Sequence, residues 1–209
     1  MNTTTKALNW RYATKVFDPA KKVSDADIAA ILESGRLAPS SFGIEAWAFV
    51  VVADPKLRAA LRAAAYGQPK VTDASHLVVI ARRTDARTAI TNELIERTSK
   101  ITGQPAGAFD SLKGMVDGSM KSRSDAELDA WVKCQCYIPL GTMIEAASLL
   151  NIDNCPMEGF DPKKVDEILG LPAKNLVSTT MLALGYRGAD PAAGTPKVRR
   201  PTEEVVIRM

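Results

Sequence analysis

The sequence contains few of the residues on which many catalytic, redox and metal sites depend. Its 209 residues include a single histidine and only three cysteines. Cys134, Cys136 and Cys155 are odd in number and fit neither a disulfide framework nor the usual spacing of zinc ligands. Cys134 and Cys136 fall in a helical pattern and point to different faces, so they cannot form a redox pair. His76 opens an apolar strand, which favours a packed, neutral imidazole over a catalytic one.

Long apolar segments and a strong excess of one charge are also missing. The apolar runs Trp47–Ala53 and Leu77–Ala81 are far shorter than the roughly 20 residues of a membrane-spanning helix. The segment Met1–Lys6 lacks the apolar core of a signal peptide. A formal net charge of +3 is too small to indicate nucleic-acid binding. We therefore expect a cytoplasmic protein of one domain, residues 1–209, with no nucleic-acid or membrane partner.

Two motifs of common enzyme classes are absent as well. No Gly-x-Ser-x-Gly segment occurs, so the strained serine turn of α/β-hydrolases is not expected. No Gly-x-Gly-x-x-Gly segment follows a predicted strand, which excludes the dinucleotide-binding motif of a Rossmann fold.

What the sequence does have is a cluster of cations near each end. Arg11 and Lys15 are close in sequence, as are Lys197, Arg199 and Arg200. Their apolar neighbours predict partial burial, and a desolvated cation without a partner is costly. A phosphate monoester would suit them, because a guanidinium binds two of its oxygens and an ammonium adds a point charge. Either the two segments converge on one phosphate, or these cations are ordinary solvated surface charges.

Hydrophobic periodicity and capping residues predict the secondary structure. The segment Ser24–Asp27 resembles a capping box, and Asp54 and Asp161 each precede a proline suited to the first helical position. Helices are predicted over residues 3–12 with a threonine cap, 24–38, 86–100, 124–150 and 161–169, and after Asp54. Strands are predicted over residues 48–53, 76–82, 152–157, 177–184 and 203–209.

Two segments depart from simple periodicity. Residues 102–124 hold four glycines and one proline, which predicts an excursion or lid rather than a core element. Pro139 falls inside the helix over 124–150 and predicts a kink there. Because helices outnumber strands and do not alternate cleanly with them, the pattern favours the α+β class.

Six short motifs occur in the order seen in one enzyme family. Together they cover roughly residues 6 to 201, and the chain resembles the nitroreductase family of FMN-dependent NAD(P)H nitroreductases and dihydropteridine reductases. The resemblance implies a central mixed or antiparallel sheet flanked by helices, with a long central helix, and a homodimer with FMN at its interface. The motifs are Arg11-x-x-x-Lys15, Ala38-Pro39-Ser40-Ser41, Trp47-x-Phe49, Asp73-Ala74-Ser75-His76, Pro156-Met157-Glu158-Gly159-Phe160-Asp161 and Lys197-x-Arg199.

The first and last motifs bind the FMN phosphate in that family. By resemblance this role falls to Arg11, Lys15, Lys197 and Arg199, with Tyr12 and Ala13 beside them. Relatives often have His-Ser where this chain has Tyr12-Ala13, so one hydroxyl contact to the phosphate or ribityl chain is missing.

The loop that meets the flavin at the subunit interface comprises, by resemblance, Pro39, Ser40, Ser41 and Gly43. The simpler alternative is that Ser40 and Ser41 only cap a turn. Relatives commonly read Asn-x-Gln-Pro-Trp after this loop, where this chain has Glu45 in place of the amide. A carboxylate cannot donate unless it is protonated, so Glu45 would alter cofactor contacts or substrate preference.

Gln68 and Lys70 occupy the region that faces the flavin ring in relatives. A cation near N1 and the C2 carbonyl would stabilise the reduced flavin and raise its potential, although Lys70 could also be a plain surface lysine. Gly67 stands where some relatives have Asn. In relatives the flavin stacks on the segment that corresponds to Pro156, Met157, Glu158 and Gly159, and the resemblance implies that a backbone N–H of Glu158 or Gly159 bonds flavin N5. No catalytic side chain and no metal are expected.

The activity implied by the resemblance is a two-step exchange. NAD(P)H would give hydride to FMN and leave, and a nitroaromatic, quinone or similar electrophile would then take two electrons. The segment 102–124 would set the substrate range, with Phe109, Met115 and Val116 as candidate contacts. The alternatives are a flavin-binding storage or regulatory protein without turnover, and a specialised enzyme acting on flavins or pteridines.

Overall fold

A four-stranded antiparallel sheet is the centre of the computed structural model, which describes all 209 residues. The strands are β1 (Trp47–Val51), β2 (His76–Arg83), β3 (Asp153–Met157) and β4 (Leu176–Gly185). The helices are α1 (Thr3–Trp10), α2 (Asp25–Arg36), α3 (Pro55–Ala64), α4 (Lys70–Asp73), α5 (Thr91–Thr102), α6 (Asp110–Lys121), α7 (Asp125–Leu149), α8 (Pro162–Leu169) and α9 (Thr202–Val205). The strand order β1-β2-β4-β3 puts β1 and β3 at opposite edges. This arrangement confirms the α+β class and four of the expected strands.

Each face of the sheet is covered by a helical layer, because successive strand residues point to opposite sides. On one face, Leu77, Val79, Met181 and Ala183 pack with Leu61 of α3, Val71 of α4 and Val165 of α8. On the other, Val78, Ile80, Leu182 and Leu184 pack with Ile31 of α2 and with Leu140 and Met143 of α7. The hydrophobic core around the sheet therefore consists of two slabs separated by β2 and β4, the central strands.

The long helix α7 confirms the expected central helix. It begins at a capping box in which Ser124 and Glu127 exchange hydrogen bonds, and it continues as one helix through Pro139. Cys134 is exposed on it and Cys136 is buried, so these two cysteines do lie on different faces. Ser24, Asp54 and Asp161 cap α2, α3 and α8 as expected. The opening helix is instead capped by Asn2, whose side chain accepts from Thr5 N.

Part of the segment 102–124, which its glycines predict to be an excursion or lid rather than a core element, does belong to the core. It contains the helix α6, whose residues Val116 and Met120 are buried against Ile90 and Leu94 in a third apolar cluster. The expectation failed because glycine lowers helix propensity by only about 1 kcal/mol, which buried contacts can offset. Val116 therefore packs in the core, while Met115 and Gly114 are exposed on α6.

The final strand expected over 203–209 is also wrong. A short helix, α9, occupies Thr202–Val205, and residues 206–209 have no regular structure. A strand needs a neighbouring strand to accept its hydrogen bonds, and within one chain this segment pairs with none. No helix in the structure is both long enough and apolar enough to cross a membrane.

Candidate functional site

The two cationic segments, 180 residues apart in sequence, line one open cavity of about 390 Å³. Arg11 is half-buried, whereas Lys15, Lys197 and Arg199 are exposed at the rim. The Lys197 ammonium donates to the backbone carbonyl of Arg11, which joins the two segments directly. Tyr12 and Ala13 also line the cavity. This volume lies in the range of about 300–1,000 Å³ that is common for small-molecule sites.

The cations of this cavity are close enough to repel one another. Burial, and then the positive charge of Arg199, lowers the pKa of Arg11 below its ordinary value. Burial lowers the pKa of Lys197 too, and the charges of Arg11 and Arg199 add to the effect. Arg11 Nε is buried and has no hydrogen-bond partner in the protein. A buried donor without an acceptor is costly, so the cavity is suited to an anion.

Asp190 ties the wall of this cavity together. Its buried carboxylate accepts from Lys15 N at 2.7 Å, Val16 N at 3.1 Å and the Tyr12 hydroxyl at 2.8 Å. It also accepts from Ala192 N at 3.0 Å, at the start of the 3₁₀ turn Pro191–Gly194. Burial alone would raise the pKa of Asp190, but the donors on Lys15, Ala192, Tyr12 and Val16 together hold it below its ordinary value. The carboxylate is therefore fixed as an anion between the two segments.

A stacked guanidinium supports the same wall from behind. The guanidinium of Arg187 lies 4.4 Å from the ring centre of Trp10 and 4.7 Å from that of Tyr12. Its Nε donates to the buried Asp153 at 2.7 Å. Burial and the bond to Asp190 raise the pKa of Tyr12 to about 12, so its hydroxyl remains a donor. Cation–π contact and ion pair together fix the position of the Tyr12 ring.

A second group of candidate residues lies at β3, next to the cavity. Ala13 pairs with Asn154 of β3 through an isolated parallel bridge, which brings the N-terminal segment beside this strand. Lys70 Nζ lies 3.3 Å from Cys155 Sγ. Gln68 Nε2 donates to the carbonyls of Ala65 at 2.9 Å and Gly159 at 2.6 Å. Both amide hydrogens of Gln68 are thereby used, and only its Oε1 is free to accept from a ligand.

The peptide groups that follow β3 present two free donors. Neither the N–H of Glu158 nor that of Gly159 donates to another group of the protein. The Glu158 carbonyl accepts from Phe160 N at 2.9 Å, so this turn is closed by the residue that follows Gly159. Tyr137 OH donates to Glu158 Oε1 at 2.7 Å, and burial together with this bond raises the pKa of Tyr137 to about 12. The segment is thus held by two hydrogen bonds, while its two adjacent N–H groups remain without a partner in the protein.

The loop over 39–45 is the third group, and it does not meet the other two. Ser41 N donates to the buried Gln135 Oε1 at 2.9 Å, and Glu45 N donates to Ser40 Oγ at 2.9 Å. Gln135 and Tyr137 are two residues apart on α7, hence roughly 200° apart around the helix. The loop also leads into β1, and three strand spacings of about 4.8 Å separate β1 from β3. Ser40 and Glu158 therefore lie on different sides of α7.

Glu45, which stands where relatives commonly have an amide, has an ion-pair partner within the protein. Its carboxylate lies 3.5 Å from the guanidinium of Arg97, which also donates to the Gly43 carbonyl at 3.1 Å. Glu45 has a positive φ of 46°, so the turn is tight at this position. The structure thus gives Glu45 a surface ion pair on the outer side of the loop.

Of the site residues expected from the sequence, six line the cavity, six lie near β3 and four lie on the separate loop. The six near β3 are Gln68, Lys70, Pro156, Met157, Glu158 and Gly159, and the loop residues are Pro39, Ser40, Ser41 and Gly43. Sequence reasoning missed Asp190, Tyr137 and Gln135, which position the others. Only Asp190 had a local signal, because it precedes Pro191 as Asp54 precedes Pro55.

Comparisons with known proteins agree over most of the chain. The model of the nitroreductase family matches residues 8–186. The chain is 40% identical over 211 residues to a Bacillus subtilis (strain 168) protein named "Putative NAD(P)H nitroreductase YfkO", with 96% of this chain and 94% of that protein covered. A Staphylococcus aureus (strain N315) protein with the same name but the symbol SA2311 is 40% identical over 208 residues, covering 96% and 92%.

Solved structures show the same fold at lower identity. A nitroreductase-like protein from Streptococcus mutans superimposes with a TM-score of 0.85 at 20% identity, covering 98% of this chain and 97% of that one. A protein from Exiguobacterium sibiricum 255-15, solved in complex with FMN, gives a TM-score of 0.83 at 20% identity, covering 100% and 98%.

Proposed function

The chain belongs to the nitroreductase family of oxidoreductases, and from that premise we propose that it is an FMN-dependent enzyme. It transfers hydride from NAD(P)H, by way of the flavin, to nitroaromatics, quinones or related electrophiles in a two-step exchange. The observation that carries this proposal is the cavity in which Arg11, Lys15, Lys197 and Arg199 converge. The FMN complex of the Exiguobacterium protein and the NAD(P)H in the relatives' names support it.

The cations fit the phosphate end of FMN. Arg11 Nε is a buried donor without a partner, and the surrounding cations repel one another without an anion between them. A phosphate dianion would accept from the Arg11 guanidinium and offset the charges of Lys197 and Arg199. The task of these residues is therefore to hold the cofactor.

The segment after β3 fits the reacting edge of the flavin. When bound, FMN supplies an N5 atom that accepts a hydride and passes it on. The free N–H groups of Glu158 and Gly159 would bond this edge and fix its position. Gly159 has no Cβ to block the approach of a planar ring. The chemistry thus needs no catalytic side chain, and the backbone orients the ring.

Gln68 and Lys70 fit the opposite, pyrimidine edge. Since both amide hydrogens of Gln68 are bonded within the protein, its Oε1 would accept from a ring N–H. The ammonium of Lys70 would offset negative charge that the ring gains on reduction. The two side chains supply one acceptor and one cation, which together set the orientation of the ring.

The loop over 39–45 supports a site completed by a second copy of the chain. Ser40, Ser41 and Gly43 lie across α7 from Glu158 within one chain, so they would reach the flavin of the partner subunit. Ile138, Leu149 and Leu150 of the α7 region are exposed and would be covered in such a homodimer. An isologous interface would then contain two equivalent flavin sites.

The test begins with the purified full-length chain. It should retain FMN, and stopped-flow mixing should show reduction by NADH or NADPH and reoxidation by a nitroaromatic or quinone. Reduction without reoxidation by any acceptor would instead support the flavin-binding protein without turnover.

The phosphate assignment has its own variant. The double variant Lys197→Ala/Arg199→Ala should bind FMN at least about tenfold more weakly, because each charged hydrogen bond contributes about 1.5–3 kcal/mol. Its thermal unfolding midpoint should stay close to that of the wild type. The matched control is Lys56→Ala/Lys174→Ala, which removes the same charge from exposed residues outside the cavity. Stoichiometric FMN in the first variant would contradict the assignment.

A further inference from the structure

Asp190 is placed where a carboxylate would ordinarily be unfavourable, beside a cavity built to bind an anion. It is 8% exposed and forms no ion pair with any lysine or arginine. Its partners are all neutral donors: the amides of Lys15, Val16 and Ala192 and the hydroxyl of Tyr12. The charge of Asp190 therefore leaves the cavity's cations unpaired and available.

Those four donors belong to the two segments that form the cavity. Three lie on the N-terminal segment that carries Arg11 and Lys15, and the fourth begins the turn that leads to Lys197. The segments meet elsewhere through backbone bonds, Gly188 N to the Val16 carbonyl at 3.0 Å and Asp18 N to the Tyr186 carbonyl at 2.8 Å. These bonds lie farther along both segments from the cations than Asp190 does. Apart from the bond of Lys197 itself to the Arg11 carbonyl, Asp190 is therefore the tie nearest to the cations.

We propose that Asp190 is a positioning residue that sets the spacing of the cations from the two ends of the chain and so creates selectivity for a phosphate-bearing flavin. The inference rests on the proposed function, since FMN is the ligand whose phosphate the cations hold. Asp190 touches neither the phosphate nor the ring. It acts by keeping the backbone of Lys15 and that of Ala192 at a fixed separation.

Coulomb attraction and positioning make opposite predictions for one substitution. Asp190→Asn removes a negative charge near the cavity, which by charge alone would strengthen binding of a phosphate. It also replaces one carboxylate oxygen by an NH₂ group that cannot accept. The variant therefore loses either the three hydrogen bonds to Asp190 Oδ2, from Tyr12, Lys15 and Val16, or the bond from Ala192 N to Oδ1, which is the only tie to the C-terminal segment. If spacing governs binding, the same variant should therefore bind FMN more weakly.

The experiment compares FMN with riboflavin, which has the same ring and ribityl chain without the phosphate. The full-length chain and its variants are equilibrated by dialysis with each flavin, and the ratio of the two affinities is measured. We expect Asp190→Asn to lower the FMN-to-riboflavin ratio about tenfold through weaker FMN binding, with riboflavin nearly unchanged. Tyr12→Phe removes one of the four donors and should lower the ratio by a smaller factor.

Asp54→Asn is the matched control, because Asp54 also precedes a proline and caps a helix through its side chain, but lies outside the cavity. It should leave the ratio at the wild-type value. An unchanged or increased ratio in Asp190→Asn overturns the inference, and if that variant does not fold, an unchanged ratio in Tyr12→Phe does so. Wild-type protein that binds both flavins equally, or neither, overturns the phosphate assignment itself and with it this inference.

Discussion

The ammonium of Lys70 has a sulfur atom, rather than a carboxylate, as its partner within the protein. Cys155 Sγ lies 3.3 Å from Lys70 Nζ, and no acidic side chain pairs with this lysine. A thiol is a weak acceptor, so it orients the ammonium without cancelling its charge. A carboxylate at the same place would compete with a ligand for that charge.

Lys70→Met should therefore make the bound flavin harder to reduce. Losing a cation beside the ring should change the relative affinity for reduced and oxidised FMN about tenfold, which is ~30 mV for a two-electron couple. The measurement is an equilibrium titration of the flavin against a reference dye. Lys56→Met, an exposed lysine on α3, is the control, and an equal potential in both variants would show that Lys70 does not face the ring.

His76 is packed at the start of β2, as its place in the sequence indicates. Its Nδ1 lies 3.0 Å from Ser75 Oγ. Burial, followed by the charge of Arg58, lowers its pKa below the ordinary 6.5, with Lys22 adding to the effect and Asp25 opposing it. The folded protein thus binds this proton less readily than the unfolded chain does.

The sign of the resulting pH dependence follows from that difference. Stability contributed by neutral His76 is present above pH 6.5 and is lost as the pH falls below this value. Urea unfolding between about pH 7.5 and pH 5.5 should show a decline that is smaller in His76→Asn, which cannot take up a proton there. The same decline in both proteins would mean that other groups cause it.

At the scale of single elements, replacing either of two glycines by alanine should change the free energy of unfolding in opposite directions. A Cβ on Gly185 of β4 would come within 2.9 Å of the Phe17 ring and 3.0 Å of Ser75 N, whereas a Cβ on Gly114 of α6 would meet nothing within 4 Å. Gly185→Ala should lower the free energy of unfolding by about 1–3 kcal/mol through overpacking. Gly114→Ala should raise it by about 0.5–1 kcal/mol, because alanine is the better helix former.

Chemical denaturation of both variants against the wild type gives the two signs in one experiment. Gly118→Ala repeats the α6 change at a second open position and checks that the gain comes from helix propensity. Destabilisation by both α6 substitutions would indicate that this helix needs its glycines for close approach to another surface.

The helices that the sequence predicts well are those with both a period and a capping residue. The helices α2, α3 and α8 have such capping residues, and the strands β2 and β4 are marked instead by continuous runs of buried residues. The helix α6 was missed because Gly114 and Gly118 weaken its pattern while the buried contacts of Val116 and Met120 stabilise it. Such contacts depend on the third apolar cluster, which exists only after α5 and α7 are in place.

The candidate site shows the same limit at the scale of the whole molecule. The four cations could be named from the sequence, since charge clusters and a family resemblance mark them. Their mutual geometry depends on Asp190 and Lys197, whose partners are more than 170 residues away. Tyr137 and Glu158 likewise meet only through the packing of α7 beside β3. No local sequence pattern predicts contacts between residues so far apart in the chain.

The C-terminal tail is the largest apolar segment that the fold leaves uncovered. Val205, Val206, Ile207 and Met209 are all exposed, Ile207 to 79%. The edge strand β1 has no second neighbouring strand, whereas the edge strand β3 is bridged to Ala13. In the proposed homodimer the tail would lie against the partner subunit, which would cover its apolar side chains.

Light scattering of the 209-residue chain as it elutes from a size-exclusion column should accordingly give twice the monomer mass of 22.5 kDa. Deleting residues 202–209 should shift the mass toward the monomer on dilution, because the buried apolar area that stabilises the dimer is reduced. Bound FMN should fall in parallel, since the loop with Ser40 and Ser41 would no longer reach the partner's site. Glu203→Gln/Glu204→Gln changes the same tail without removing apolar surface and should remain a dimer. A monomer with stoichiometric FMN would contradict the shared site, and the whole cofactor site would then lie within one chain.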